Sequence, residues 1–309
     1  ILFFAFTFDM GGDYSLYEIN YNNLSNHSFY YLIFKKEFVY SFISKLFNEI
    51  GFTFIIFFIF VKILIITCIF IFVLKSIENK FFILSIFFSY FFYSYTLGYV
   101  RQGLSASIFL LVIVYWNRFS LIQYVFSLAF ISSIHISSIF LAILKVNKKN
   151  FLIFFYLSIP VIFIYYIFFG ISSIYGLIEI YIIKRDHVSN GFFFRLLLFI
   201  PAIILFYIYY KNFKLDKNFE IYNKIISIIV PLVCLLSLLN PTVSDRLLVY
   251  LFPFTLLIID KVLNYSDNLY KKISIYSIIT LINFTFLNVW LVFGNNNRFF
   301  VPIKNIFLE

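Results

Sequence analysis

Long apolar stretches alternate with short polar segments along the whole chain. The stretches lie at about 1–8, 50–74, 81–97, 104–116, 119–134, 136–144, 151–169, 192–210, 224–239, 247–259 and 273–293. A helix needs about 20 predominantly apolar residues to cross the hydrocarbon core of a bilayer. Several stretches have that length, and the others suit half-membrane helices. The pattern therefore predicts an all-α, polytopic integral membrane protein with about 10–11 transmembrane or half-membrane helices.

The composition excludes a water-soluble globule. Of the 309 residues, 63% are hydrophobic and 12% are charged, and the mean hydropathy is +0.98. Soluble domains have about 45–50% apolar and about 25% charged residues. Because the connections are short, we expect a single transmembrane domain over residues 1–309, with external segments at about 9–49 and 170–191. The opening stretch ILFFAFTF is too short for a full span and is expected to be the end of a truncated one.

The spacing of cysteine and histidine does not indicate a metal site or a disulfide framework. Cys68 and Cys234 lie within apolar stretches, and His27, His135 and His187 are far apart. Neither Cys-x-x-Cys nor His-x-x-x-His, spacings typical of metal ligands, occurs in the chain. The sequence therefore predicts no metal and no cofactor, and we expect no nucleic-acid partner.

The loops carry positive charge unevenly, and this predicts an orientation. The most basic short loops are those at 75–80, 145–150, 211–224 and 260–272. Cytoplasmic loops of membrane proteins carry an excess of Lys and Arg, but these four loops can share one face only if the chain reverses near His135. The stretches 119–134 and 136–144 would otherwise form one long helix. The charge pattern favours a hairpin of two short helices.

The six arginines are distributed differently from the lysines. They stand at positions 101, 118, 185, 195, 246 and 298. In the predicted topology only Arg118 lies on the lysine-rich side, which is the side that positive charge normally favours. A guanidinium group binds phosphate or carboxylate with a rigid fork, so we hypothesise an anionic ligand at the outer leaflet. The alternative is that the arginines pair with outer acids. Such acids are Glu37, Glu179, Asp186 and Asp245.

Three motifs place polar groups at the expected outer face. Arg101 and Gln102 precede a helix rich in small residues, which let membrane helices approach closely, and helix N-terminal amides favour anions. His135 lies among serines in FISSIHISSIF, where an imidazole serves either in packing or in proton transfer. Asp245 and Arg246 stand at the entrance to a span, where a simple helix start is the alternative reading.

The first external segment provides further candidates. Gly11 and Gly12 permit a tight turn that would hold Asp13 and two tyrosines, Tyr14 and Tyr17, at the membrane surface. Asp13 would there orient an arginine or act as a base. Farther along, residues 37–50 should form an interfacial amphipathic helix. Its apolar side would carry Phe38, Phe42, Ile43 and Leu46, with Lys45, Asn48 and Glu49 elsewhere.

Two basic residues stand within apolar stretches. Arg195 lies just inside FFFRLLLFIP, where its side chain would either extend outward or line a cavity. Lys62 lies near the centre of the stretch 50–74, where a charge costs about 2.5–3.5 kcal/mol on insertion scales. Lys62 must therefore face protein or water, although the sequence does not name its partner.

The order of these motifs is similar to that of a known family. The chain has Gly-Gly-Asp-Tyr at 11–14, Lys-Glu-Phe at 36–38, RQGLSAS at 101–107, ISSIHISS at 131–138, DRLLVYLF at 245–252, and Val-Pro at 301–302. It resembles the EpsG-like family of bacterial polysaccharide polymerases, which is related to Wzy-type O-antigen and capsule polymerases. The similarity covers almost the whole chain from Asp9, and it rests on the order of the motifs. One departure is that an arginine often precedes Gly-Asp-Tyr in such proteins, whereas this stretch reads FTFDMGGDY.

The resemblance implies a glycosyltransferase of the GT-C type in the bacterial cytoplasmic (inner) membrane, working at its outer face without a metal. Such an enzyme transfers a growing glycan from undecaprenyl pyrophosphate to another lipid-linked repeat unit. Its partners would be undecaprenyl-pyrophosphate-linked oligosaccharides and membrane lipid, and a chain-length regulator stays an open question. Its product would be an O-antigen, a capsule or an exopolysaccharide.

The roles that this reaction suggests are hypotheses. Arg101 and Arg246 would bind the pyrophosphate, and His135 or Asp13 would act as general base. The predicted substrate-binding residues are Tyr14, Tyr17, Glu37, Gln102, Arg185, Arg195 and Arg298. Among them, the tyrosines would stack on sugar rings, and Arg185 and Arg298 would steer the lipid-linked substrates.

Three other readings remain at this stage. An O-antigen ligase-like enzyme shares the donor but uses a different acceptor. A transporter or flippase of lipid-linked sugars usually has internal repeats and sites at the midplane, whereas this sequence has no convincing repeat. A structural membrane subunit fits the composition but leaves the arginine asymmetry unexplained.

Overall fold

A computed structural model of the chain describes residues 2–33, 37–88, 90–145, 191–294, 297–301 and 303–307. The predicted span 151–169 and nearly all of the predicted external segment 170–191 lie outside the described residues, as do Arg185, Glu179 and Asp186.

The described residues are helical apart from turns and one isolated antiparallel bridge between Thr7 and Asn305. The α-helices are α1 (Tyr14–Asn23), α2 (Phe29–Ile33), α3 (Phe38–Glu49), α4 (Phe54–Ser76), α5 (Lys80–Phe88), α6 (Tyr90–Phe92), α7 (Val100–Val114), α8 (Leu121–Ser132), α9 (Ala142–Lys145), α10 (Phe192–Leu196), α11 (Ile200–Ile208), α12 (Tyr210–Phe213), α13 (Phe219–Lys224), α14 (Val230–Leu239), α15 (Pro241–Tyr265) and α16 (Leu269–Phe293). A π-helical turn, Ile225–Ile229, joins α13 to α14.

Four helical segments in the described part of the chain are long and apolar enough to cross a membrane. They are Phe54–Ser76, Phe219–Leu239, Pro241–Tyr265 and Leu269–Phe293. Shorter apolar helical segments, such as Val100–Val114 and Phe192–Ile208, accompany them. The predicted class, an all-helical polytopic membrane protein, is therefore confirmed.

The apolar helices differ in what covers them. The helix α15 is the most deeply buried of the four long segments, whereas α16 lies at the periphery. Large apolar side chains of α16, among them Leu281, Phe284 and Phe293, are exposed. An exposed apolar helix face of this kind suits contact with lipid, because lipid tails are as apolar as the side chains.

The first predicted stretch, 1–8, does not form an α-helix within its described residues. Residues Leu2–Phe6 form a short 3-10 helix, and Thr7 then pairs with Asn305 of the C-terminal segment. The chain leaves the helical path because its backbone groups bond to that segment, for example Phe8 N–H to the Lys304 carbonyl at 3.2 Å. The predicted stretch 81–97 also differs from a regular helix, since it ends in a π-helical turn, Tyr93–Gly98.

The chain reverses at His135, as the distribution of lysines predicted. The helix α8 ends at Ser132, and a 3-10 helix (Ile136–Leu141) runs back along it. The Tyr124 hydroxyl of α8 donates to the Leu141 carbonyl at 2.5 Å. Tyr124 and Leu141 would be far apart if the two stretches formed one continuous helix. The bond between them therefore shows that the two segments form a hairpin.

The lysine-rich loops meet at one end of the molecule, which we call the lysine end. They comprise the turns 77–79, 115–120, 214–218 and 266–268 together with the helix ends beside them, which carry the lysines at 75, 80, 145, 211, 214, 217, 224, 261, 271 and 272. The Asp260 carboxylate accepts the Asn79 backbone N–H at 2.8 Å, and Asn117 donates to Asn218 at 3.0 Å. The exposed Arg118 also lies here, in the turn after α7.

The opposite end, which we call the arginine end, comprises the first turns of α7 and α15 together with the His135 turn. Both helices finish at the lysine end, and the rise of about 1.5 Å per residue places their first turns about 20 Å or more away. Arg101 stands in the first turn of α7, and Arg246 stands in the second turn of α15. The separation of lysines from arginines that the sequence indicates is thus present in the described structure.

Two lysines lie in the interior. The Lys62 ammonium is fully buried and donates to the Thr7 carbonyl and hydroxyl, both at 2.7 Å. Lys45 was expected on the polar side of the amphipathic helix, but this assignment was wrong. Its side chain is buried and donates to the Leu24 carbonyl at 3.2 Å. In α3, Tyr40, Ser44 and Lys45 therefore face the protein.

Candidate functional site

The start of α7 is positioned by a close approach that only glycine allows. A Cβ atom on Gly103 would lie 2.3 Å from the Tyr95 carbonyl oxygen, in the preceding π-helical turn. Such a contact is far shorter than real Cβ atoms make, and the obstacle is backbone. The small residue therefore lets the two segments touch. As a result, Arg101 faces the residues of α1 and α3.

Arg101 is held by a carboxylate and two aromatic rings. Its Nη1 forms a short ion pair with the Glu37 Oε2 atom. The guanidinium carbon lies 4.7 Å from the centre of the Tyr17 ring and 5.8 Å from that of Tyr40, distances at which a cation–π attraction acts. The buried Nε atom of Arg101 has no hydrogen-bond partner among the described residues. The guanidinium is thus oriented while part of its donor set is unused.

Glu37 stands between Arg101 and His135. Its Oε1 atom is 3.8 Å from the His135 Nε2 atom, while Oε2 faces Arg101. Burial raises the pKa of Glu37, and the positive charges of Arg101 and Arg246 oppose that rise. Burial, reinforced by Arg246 and Arg101, lowers the pKa of His135 to about 3. His135 is therefore an uncharged imidazole at neutral pH, as a general base must be.

Arg246 belongs to the same cluster. The Gln102 side-chain amide donates to the Arg246 carbonyl at 2.8 Å, which ties the first turn of α7 to the second turn of α15. Asn240 begins α15 by accepting the backbone N–H groups of Thr242 and Val243 at 2.8 and 3.1 Å, an N-cap arrangement. The structure therefore brings five candidates to one end of the helices. They are Glu37, Arg101, Gln102, His135 and Arg246.

Arg195 lies next to this cluster. It forms an ion pair with Asp245, the neighbour of Arg246. Both side chains are mostly buried, so Arg195 does not extend freely outward. Of the acids that the sequence offers as arginine partners, Glu37 and Asp245 do serve in that way. The acid-pairing alternative thus applies to Arg101 and Arg195.

The segment after Gly11 occupies a different position from the one predicted for it. Tyr14 is buried and packs edge-on against Phe54 and Phe58, each with ring centres 5.2 Å apart. Tyr17 is also buried, one face against Arg101. These rings are covered by protein and do not form an open surface for sugars. Asp13 accepts the Tyr17 hydroxyl at 3.2 Å, so it is connected to Arg101 through this ring.

Arg298 lies at the same end but not in the cluster. It is exposed, in a 3-10 turn (Asn297–Phe299), and its guanidinium lies over the neighbouring Phe299 ring at 4.9 Å. The Phe299 carbonyl accepts the Gly11 N–H at 2.9 Å, which places this turn beside the Gly11 segment. The described contacts of Arg298 do not include Glu37 or His135. Arg185 lies outside the described residues.

Three hydroxyl groups complete the site; two belong to serines of the motifs that the sequence singles out, and the third, that of Tyr250, was not anticipated. The Ser137 Oγ atom lies 2.7 Å from His135 Nδ1 and 3.2 Å from the Tyr250 hydroxyl, and the latter lies 3.1 Å from Ser105 Oγ. Tyr250 comes one helical turn after Arg246 and is completely buried. A tyrosine among apolar residues gives no sign of such contacts, although its spacing from Arg246 puts it on the same side of α15.

The cluster has the chemistry of an anion site with a base beside it. It combines two guanidinium groups, a carboxylate and a neutral imidazole at the end of the molecule opposite the lysines. Across the described ranges, no three His, Cys, Asp or Glu side chains come together as a metal site.

The fold and this cluster define the class: a polytopic membrane protein with a polar site at one end of its apolar helices. The sequence model of the EpsG family matches residues 1–305, so the chain belongs to the EpsG family. This family is linked to exopolysaccharide biosynthesis. Comparison with curated proteins and with solved structures gave no match.

Proposed function

We propose that the protein is a polysaccharide polymerase of the bacterial cytoplasmic membrane. It transfers a growing glycan from its undecaprenyl pyrophosphate carrier to the sugar end of another lipid-linked repeat unit, at the outer face. The observation that carries this proposal is the cluster of Arg101, Arg246, Glu37 and His135 at the end opposite the lysines. Family membership agrees with such substrates.

The arginines meet the charge that develops on the leaving group. When the bond between the sugar and the pyrophosphate breaks, negative charge grows on phosphate oxygens, and fixed cations stabilise it most where water is excluded. Arg101 is oriented by Glu37 and Tyr17 and retains an unused Nε–H. A guanidinium with two free N–H groups on one edge binds phosphate in a bidentate manner. Arg246 supplies the second positive charge.

His135 takes the proton of the attacking hydroxyl. That oxygen forms a bond to the anomeric carbon of the donor as the bond from this carbon to the pyrophosphate breaks, and the hydroxyl proton passes to the imidazole. The low pKa of His135 keeps this base unprotonated at neutral pH. Asp13 is the weaker candidate, because it is connected to Arg101 through Tyr17 instead of touching the cluster.

The orientation follows from the charges. The lysine end faces the cytoplasm, where positive loops are retained, and the arginine end faces outward, where the lipid-linked substrates meet. Arg298, exposed beside the Gly11 segment, steers these substrates, and Arg185 shares that role. A transporter would need its binding groups near the midplane, whereas the described arginines lie at the ends.

The test is polymerisation by the purified protein in detergent. Lipid-linked repeat units should be converted into a ladder of longer glycans. One undecaprenyl pyrophosphate should be released for each glycosidic bond that forms. Detergent micelles have no second compartment, so a flippase would leave the substrate unchanged. A ligase would add single units to an added lipid A core without forming a ladder. Either result would reject the polymerase.

A further inference from the structure

A chain of four polar contacts begins at His135 and ends at a backbone carbonyl. His135 Nδ1 lies 2.7 Å from Ser137 Oγ, which lies 3.2 Å from the Tyr250 hydroxyl. Tyr250 lies 3.1 Å from Ser105 Oγ, and Ser105 donates to the Ile131 carbonyl at 3.3 Å. The contact at 2.7 Å has the usual hydrogen-bond length, and the three contacts between oxygen atoms, at 3.1 to 3.3 Å, are long hydrogen bonds.

Counting protons fixes the direction of this chain. The three hydroxyl groups have one proton each, and the carbonyl can only accept. Since Ser105 donates to the carbonyl, Tyr250 must donate to Ser105, and Ser137 must donate to Tyr250. The contact between Ser137 and His135 is then filled only if the imidazole itself donates from Nδ1. Any other arrangement leaves two oxygens, or an oxygen and a nitrogen, in contact without a proton between them.

We infer that Ser105, Tyr250 and Ser137 are positioning residues that hold His135 in its Nδ1–H tautomer. The other ring nitrogen, Nε2, is then an unprotonated acceptor, and it is the nitrogen that lies 3.8 Å from Glu37 Oε1, in the arginine cluster. This chain of hydrogen bonds through Ser137, Tyr250 and Ser105, which we call the relay, thus directs the basic lone pair of the imidazole to the place where the substrate hydroxyl would bind. The tautomer follows from filling all four contacts, including the one from Ser105 to the Ile131 carbonyl, whereas its catalytic use rests on the proposed function.

The described hydrogen-bond contact of the His135 ring is the one between Nδ1 and Ser137. The charged groups that act on the imidazole are Glu37, whose Oε1 atom lies 3.8 Å from Nε2 and is too far for a hydrogen bond, and the cations Arg246 and Arg101. Tyr250 is completely buried in α15 and Ser105 in α7. Burial makes an unfilled contact costly, which favours the fully bonded arrangement.

The first test measures the tautomer itself. We would record nitrogen chemical shifts of the protein labelled with ¹⁵N-histidine in lipid bilayers and assign His135 by loss of its signals in His135→Asn. The expected spectrum has a protonated Nδ1 and an unprotonated Nε2. In Tyr250→Phe the Ser137 hydroxyl no longer donates to Tyr250. It can then donate to His135 Nδ1, so the Nε2–H tautomer of the imidazole should appear. An Nε2–H spectrum in the unmodified protein would overturn the inference.

The second test asks whether the tautomer matters for transfer. Tyr250→Phe and Ser137→Ala should each lower kcat about tenfold or more with KM changed less than about twofold, because the base and not the binding site is altered. Ser137→Thr keeps the hydroxyl and should restore most of the rate. An unchanged kcat in Tyr250→Phe would reject the positioning role.

Tyr124→Phe is the matched control. Tyr124 is also buried, and its hydroxyl bonds to a carbonyl of the hairpin, but outside this relay. It should leave both the tautomer and kcat unchanged, so an equal loss of kcat in both variants would show a merely structural effect and reject the relay. If the unmodified protein forms no polymer, the proposed function fails, while the nitrogen spectrum still decides the tautomer.

Discussion

Replacing Arg101 with lysine tests the central group of the proposed site. The substitution keeps one positive charge near Glu37 but removes the planar fork and its contact with the Tyr17 ring at 4.7 Å. An ammonium is a point charge that cannot bind two phosphate oxygens in parallel. Loss of one preorganised donor to a developing oxyanion typically lowers kcat about 10²–10³-fold, or about 2.7–4 kcal/mol. We expect Arg101→Lys to lose activity in that range.

The loss should concern the reaction and not the fold. Removing the charge altogether would leave a buried Glu37 uncompensated, which is costly for stability, whereas lysine retains a cation. The assay is the initial rate of polymerisation in detergent, with size-exclusion profiles to verify folding. Arg118→Lys is the control, since Arg118 is exposed at the lysine end, and it should retain full activity. A folded Arg101→Lys protein with a rate within about threefold of the original would refute the reasoning.

Three further results are expected. Burial lowers the pKa of His135 to about 3, so the contribution of the neutral imidazole to stability is complete above about pH 6.5 and decreases as the pH falls towards 3. Between pH 7.5 and pH 5, the free energy of unfolding should therefore fall by about 2 kcal/mol more in the unmodified protein than in His135→Asn, as measured by thermal unfolding. An equal fall in both proteins would contradict this. Gly103→Ala should prevent stable folding because its Cβ would lie 2.3 Å from a backbone oxygen, whereas Gly12→Ala, with 3.7 Å to a side chain, should fold normally in the same size-exclusion assay. In a protein with its native cysteines replaced, a single cysteine at 214 should react with a membrane-impermeant thiol reagent from the cytoplasm, and one at 298 should react from outside. If both positions react from the same side, the proposed orientation is disproved.

The long spans and the reversal at His135 could be predicted because they depend on hydropathy and loop charge. Four segments of sufficient length lie where the sequence indicated them, although α15 begins at Pro241, before the apolar stretch starts. Its second turn carries Asp245 and Arg246, which hydropathy excludes from a span. Site residues stand in such polar helix starts, so hydropathy alone places the beginning of α15 too late in the chain.

The packing around the site could not be predicted in the same way. In water the apolar side of an amphipathic helix is buried, but in a membrane lipid and protein both accept apolar side chains. The sequence therefore did not reveal that Lys45 and Tyr40 face the protein in α3, whereas Leu46 is exposed. For the same reason Tyr14 was expected at the surface, although it packs between Phe54 and Phe58.

The partner of Lys62 has a consequence for how the protein is made. The ammonium in the middle of α4 bonds to Thr7, which the ribosome synthesises earlier than the helix itself. The partner is therefore already at hand when this charged segment leaves the translocon for lipid. Asn305, which pairs with Thr7, is synthesised long after α4. The N–H groups of Lys62 can thus be hydrogen-bonded during insertion, and the later segment with Asn305 joins Thr7 afterwards.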